Sequence, residues 1–184
     1  MEELTDVELV EQAQSALPGD TRAFSELMRR HLGRVRANCR AITRAPGDVE
    51  DLAQDVFVKA YFALGRFEHR AQFGTWVNRI KVNHCLNFLQ KQRGKRFVDI
   101  DDTPIAGREA TDRPLEQQQM RTHIEQTLDA LPDSLRIPLI MCDMDNLPYQ
   151  DIADALGIGL SAVKMRIKRG RERFRELYGE GPGR

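Results

Sequence analysis

Between Val49 and Leu64 the apolar residues Val49, Leu52, Ala53, Val56, Phe57, Ala60, Tyr61 and Leu64 return at three- and four-residue steps, while Glu50, Asp51, Gln54, Asp55 and Lys59 fill the places between them. Such a set shares one face only on a helix of 3.6 residues per turn, so this segment packs one side and presents the other. The same period runs through Phe24, Leu27, Met28, Leu32 and Val35, and again through Trp76, Val77, Ile80, Leu86, Phe88 and Leu89. No segment sustains the strict alternation of a half-buried strand. The fold class that follows is all-α.

Punctuation divides the helices. Thr5-Asp6-Val7-Glu8 is a capping box, with Leu9, Val10 and Ala13 as a short stripe behind it and Pro18-Gly19-Asp20 as its stop. The second helix ends near Ala45-Pro46-Gly47-Asp48, the third breaks at Gly65 to Gln72, and a fourth runs from about Phe73 to Gln92 before Gly94. From Lys95 to Pro114 no helical period survives, and Pro104, Gly107 and Pro114 mark a flexible linker. Two small helical domains result, 1–94 and 115–184. The second opens with Ile124, Leu128 and Leu131 on one helix and Leu135 to Cys142 on another, then closes with two helices split at Gly157.

That final pair has the pattern of a helix-turn-helix. Tyr149, Ile152, Ala153 and Leu156 face inward, Gly157 permits the tight turn, and Val163, Ile167, Gly170, Phe174 and Leu177 continue the stripe. Ser161, Lys164, Met165 and Lys168 then line the opposite ridge, which has the shape to enter a major groove. Arg166, Arg169, Arg171 and Arg173 flank it as phosphate contacts.

The formal net charge is zero, yet the charges are segregated. Arg70, Arg79, Lys81, Lys91, Arg93, Lys95 and Arg96 occupy a stretch with no acid, and from Ser161 to Arg175 only Glu172 interrupts the bases. From Leu115 to Gly159 the balance reverses, with Arg121 and Arg136 the sole bases among Glu116, Glu125, Asp129, Asp133, Asp143, Asp145, Asp151 and Asp154. Like charges on one helix repel unless a polyanion answers them, so two basic stripes point to nucleic acid. Enzymatic chemistry finds no support, for there is no phosphate-binding glycine loop and no plausible catalytic histidine. Cys39, Cys85 and Cys142 are odd in number and far apart, which suits reduced structural thiols rather than a metal site; no cofactor is expected. No apolar run is long enough to cross a bilayer, and the acidic N-terminus is unlike a signal peptide, so the cytoplasm is the expected compartment.

Asp48-Val49-Glu50-Asp51-Leu52-Ala53-Gln54-Asp55-Val56-Phe57-Val58-Lys59-Ala60-Tyr61 resembles sigma region 2.2, and Phe73-Gly74-Thr75-Trp76-Val77-Asn78-Arg79-Ile80-Lys81-Val82-Asn83 resembles regions 2.3 and 2.4 of extracytoplasmic-function sigma factors. Leu147 to Phe174 resembles region 4.2. The resemblance implies that 1–94 is sigma region 2 and 115–184 sigma region 4, together a promoter-reading subunit of RNA polymerase without catalytic activity. It implies polymerase contact through Asp48, Asp51, Gln54, Asp55 and Lys59. It implies minus 10 recognition and opening by Phe67, His69 and Phe73, available for base stacking, with Arg79, Asn83, Asn87 and Lys91 forming a polar stripe. It also implies minus 35 recognition around Lys164, Met165, Lys168 and Arg169; Lys164 stands where arginine is common and Met165 where a small polar residue is common. Trp76 is expected to pack. The implied partners are core polymerase, promoter DNA and an anti-sigma factor, and the linker acids Asp99, Asp101 and Asp102 would run toward the RNA exit path. The other reading is a helix-turn-helix regulator that binds duplex DNA without being a polymerase subunit.

Overall fold

The computed structural model describes residues 4–93 and 115–179, so the segment read as a linker lies outside the described residues. Eight α-helices run through those residues, with no strand among them: α1 (Asp6–Ala16), α2 (Arg22–Thr43), α3 (Val49–Ala63), α4 (Phe73–Arg93), α5 (Leu115–Asp129), α6 (Asp133–Leu139), α7 (Tyr149–Leu156) and α8 (Leu160–Gly179). The capping box starts the fold, since the Thr5 amide donates to Glu8 Oε2 (2.7 Å) and the Glu8 amide donates to Thr5 Oγ1 (3.3 Å). α1 to α4 close around Leu27, Ile42, Val56, Ala60 and Leu64, all fully buried.

The second body is built on α6 and α8. Gly170 brings them together, for a Cβ added there would lie 3.1 Å from the Leu135 carbonyl oxygen. The sequence places one helix over Leu135 to Cys142, but the α-helix stops at Leu139 and a π-helical turn, Ile140–Met144, follows. The Asp145 amide closes that wider turn by donating to the Ile140 carbonyl (3.1 Å). Gly157 then makes the turn between α7 and α8 at φ +65°, where a side chain would be strained.

The two bodies meet along a polar seam. Arg44, just past α2, donates to the carbonyl oxygens of Asp129 (2.6 Å) and Leu131 (2.5 Å) and pairs with Asp133 (3.2 Å). Arg136 of α6, fully buried, reciprocates by donating to the Ala41 and Ile42 carbonyls at the end of α2 and pairing with the same Asp133. Each body therefore supplies a cation to the carbonyl-rich end of a helix in the other, where the helix dipole favours positive charge. Arg40 to Glu125 (3.3 Å) and Arg34 to the Met144 carbonyl (2.6 Å) extend the contact.

Candidate nucleic-acid interface

The inward stripe of α8 leaves its other face in solvent. Val163, Ile167 and Gly170 are buried, while Ser161, Lys164, Met165, Lys168 and Arg169 are exposed on one side. Lys168 makes only a long contact with Glu172 (4.0 Å), so its ammonium remains accessible to an anion. Arg166 is half-buried. Arg171, read as a phosphate contact, has a partner within the chain. It is clamped on Asp143 (2.5 Å) with Nη2 3.5 Å from Cys142 Sγ, because its place on α8 faces the π-helical turn. That pairing holds the Asp143 carboxyl below its usual range and raises the Arg171 guanidinium.

On α4, Arg79, Asn83, Asn87 and Lys91 are all exposed at four-residue steps down one face. Arg79 already has a partner, Asp151 of α7 (2.6 Å), and Asn83 borders a groove of about 320 Å³ shared with Val82, Leu147, Asp151, Asp154 and Ala155. The three aromatic residues read as stacking groups differ in exposure. Phe67 and Phe73 are core residues, 7% and 3% exposed, packed against Trp76 at ring distances of 5.0 and 5.8 Å. The two Phe rings thus give the loop before α4 an apolar anchor. His69 alone of the three stays outside, at φ +56°, with Nε2 3.2 Å from Gln14 Oε1. Gln14 in turn donates to the Leu64 and Phe67 carbonyls (2.9 and 2.8 Å), fixing that loop on α1.

On α3, Asp51, Gln54, Asp55 and Lys59 project into solvent and Asp48 sits half-buried at the start of the helix. His84 of α4 lies beneath two of them, Nδ1 against Lys59 and Nε2 3.3 Å from Asp55. Burial, with Lys59 next, holds His84 below the ordinary histidine value despite Asp55. Val58 and Phe62, 48% and 80% exposed, extend this face with apolar surface that the reading of the inward stripe passed over.

The largest omission lies behind α4. Lys81 and Asp145 are wholly buried and paired, with Asn38 donating to the same Asp145 oxygen and Asn78 donating to the Asp145 carbonyl (3.1 Å). Burial pushes the Asp145 carboxyl up, opposed by Lys81 and Asn38. A signal for this existed. Val77, Lys81, Cys85 and Leu89 recur at four-residue steps, which places a lysine in an apolar register. Cys85 Sγ lies 3.6 Å from Cys39 Sγ, both in the core. Among the described residues no cluster of His, Cys, Asp or Glu is arranged for a metal ion, and no helix is long and apolar enough to cross a membrane.

Comparison with known proteins finds matches to both halves of the chain. The sigma-70 region 2 model matches residues 27–95 and the sigma-70 region 4 model matches 121–174. The RNA polymerase sigma-H factor of Pseudomonas aeruginosa is 32% identical over 178 residues, covering 91% of this chain and 90% of that protein. The ECF RNA polymerase sigma-E factor of Escherichia coli is 32% identical over 182 residues, covering 93% of each. Among solved structures, CnrH in complex with the cytosolic domain of CnrY aligns with a TM-score of 0.61 and 26% identity over 95% of this chain and 97% of that one.

Proposed function

This chain belongs to the extracytoplasmic-function sigma factors of the sigma-70 family, and on that premise we propose the following division of labour. Residues 1–94 bind core polymerase and recognise and open the minus 10 element; 95–114 link the bodies; 115–184 read the minus 35 element from duplex DNA. The observation that carries this reading is the exposed ridge of Ser161, Lys164, Met165, Lys168 and Arg169 opposite a buried stripe, in a chain whose other half presents a second exposed polar stripe on α4. A ridge of that kind exchanges hydrogen bonds with base edges, while Arg166 flanks it toward phosphate. Arg169 and Arg171 complete that flank, Arg171 paired with Asp143 in the free chain as Arg79 is with Asp151.

The minus 10 set comprises His69 in the loop before α4 and Arg79, Asn83, Asn87 and Lys91 along α4, with Phe67 and Phe73 supporting that loop from inside. Asp48, Asp51, Gln54, Asp55 and Lys59 are the polymerase contacts. The chain supplies specificity and the polymerase supplies the chemistry, so it is no enzyme itself and works in the cytoplasm beside its polymerase. An anti-sigma factor controls it, a reading supported by the relative CnrH, solved with the cytosolic domain of CnrY.

The test is capture of core RNA polymerase by the purified chain, compared with an Asp51→Lys, Asp55→Lys double variant. Wild-type capture that the double variant loses supports the assignment. Absence of wild-type capture, with duplex binding by the chain alone at moderate salt, would instead favour a stand-alone helix-turn-helix regulator.

A further inference from the structure

Resting on the reading of α3 as the polymerase-contact helix, we infer that His84 of α4 is a positioning residue for that contact: as a neutral ring it bridges Lys59 and Asp55, keeps the two apart, and makes capture of core polymerase weaken as the ring takes up a proton. The contacts are direct. Lys59 Nζ meets His84 Nδ1, and His84 Nε2 lies 3.3 Å from Asp55 Oδ2. The imidazole is 15% exposed and the Asp55 side chain 62%, so a largely covered ring supports two groups that face solvent.

These neighbours fix the state of the ring. An ammonium has protons to give and no lone pair, so Nδ1 must accept, and the one ring proton then sits on Nε2, toward the carboxylate. Only this neutral form satisfies both contacts at once. A second proton would go onto Nδ1, directly against the Lys59 ammonium. The charged groups that face the ring are Asp55 and Lys59 from α3 and Lys91 from its own helix. Burial, then Lys59, then Lys91 disfavour the second proton, and Asp55 opposes them without prevailing.

The bridge matters because of where its two ends stand. Asp55 and Lys59 are four residues apart on one helix, the spacing at which a carboxylate and a following lysine pair with each other. Such a pair would have to be broken before either group could meet a partner across an interface. The ring lies between them instead. It occupies one donor of an ammonium that has three and one lone pair of a carboxylate that has several, so both groups keep hydrogen-bonding capacity directed outward. Protonation undoes the arrangement, since an imidazolium repels Lys59 and neutralises Asp55.

The experiment measures the affinity of the fluorescently labelled full chain for core RNA polymerase from about pH 7.5 to 5.5, a window that spans ordinary histidine titration. Wild type is compared with His84→Gln, which can accept through Oε1 and donate through Nε2 without titrating, and with His84→Leu, which can do neither. The pH response of the polymerase is common to all three chains, so each is read as a ratio to the glutamine variant. At the upper pH the glutamine variant should match wild type and the leucine variant should bind about two- to fivefold more weakly, the scale of a partly exposed ion pair. Towards the lower pH the wild type should lose a similar factor relative to glutamine, because a ring that docking needs neutral must shed its proton to bind. In a Lys59→Met background the loss caused by His84→Leu should shrink, since one of the two groups that the ring places is gone.

Wild type and His84→Gln with the same pH profile, His84→Leu binding like wild type at the upper pH, or His84→Gln binding as weakly as His84→Leu there would each overturn the inference. So would an undiminished loss in the Lys59→Met background, which would leave His84 a residue of the fold only. Should His84→Leu lower the helicity of the chain, the pH comparison of wild type with His84→Gln decides by itself. A chain that captures polymerase without regard to His84 refutes only this inference, whereas failure of wild-type capture at every pH refutes the sigma-factor reading beneath it and the inference together.

Discussion

Replacing Gly170 should separate packing of the recognition helix from its reading chemistry. In Gly170→Ala the new methyl meets the Leu135 carbonyl oxygen at 3.1 Å and Leu139 Cβ at 3.5 Å, so α8 must retreat from α6 by a few tenths of an ångström. Overpacking of that kind costs about 1–3 kcal/mol, and exchanging a mid-helix glycine for alanine returns about 1 kcal/mol, leaving a net loss of roughly 0–2 kcal/mol. Gly170→Val adds two more methyl groups and forfeits most of the helix gain, so its loss should reach about 3 kcal/mol or more. Urea denaturation followed by helical circular dichroism measures both. The alanine variant also tips the ridge of Lys164, Met165 and Lys168 without altering it, so affinity of the holoenzyme for a two-element promoter should fall while capture of core polymerase is unchanged. A valine variant within about 0.5 kcal/mol of wild type would refute the close α6–α8 approach, since surface-like substitutions behave that way.

Four other outcomes are expected. His84 should titrate below 6.5 by nuclear magnetic resonance; because protonation is disfavoured in the fold, stability is lost as the pH falls below that unfolded value, and a stability curve flat from pH 7 to 5 would contradict the burial argument. Lys164→Ala and Lys168→Ala should each cost about 1–3 kcal/mol in promoter binding and change minus 35 preference, while equal weakening on every promoter reassigns them to phosphate. Phe73→Ala should destabilise the first body by about 3–5 kcal/mol, and a stable variant defective only in opening would return Phe73 to base stacking. Asn83→Ala should reduce promoter opening, probed by permanganate footprinting, and spare polymerase capture; loss of both would make Asn83 a folding residue.

The helices and the helix-turn-helix were legible because each rests on spacing within a few turns: the stripes of α3 and α8, the Thr5 to Glu8 box and the Gly157 turn are all local. The seam was not, since its partners are far apart in sequence: Lys81 with Asp145, Arg44 with Asp133, Arg136 with Ala41. The acidic 115–159 stretch looked like a module of its own character, yet Glu125, Asp129, Asp133, Asp145 and Asp151 answer cations of the first body. Part of the charge segregation thus serves contact between the bodies as well as any contact with DNA. The burial of Phe67 and Phe73 was hidden for a related reason. A loop aromatic looks exposed from its neighbours in sequence, and only the packing of Trp76 and α1 around it reveals an anchor.

Mapping transcript start sites after raising the level of this chain in a bacterial cell tests the central claim most directly. The account expects new starts, each preceded by two shared sequence elements at a fixed spacing, and expects the upstream element to shift when Lys164 and Lys168 are replaced. New starts without a common pair of elements, or none at all while core polymerase is present, would contradict it.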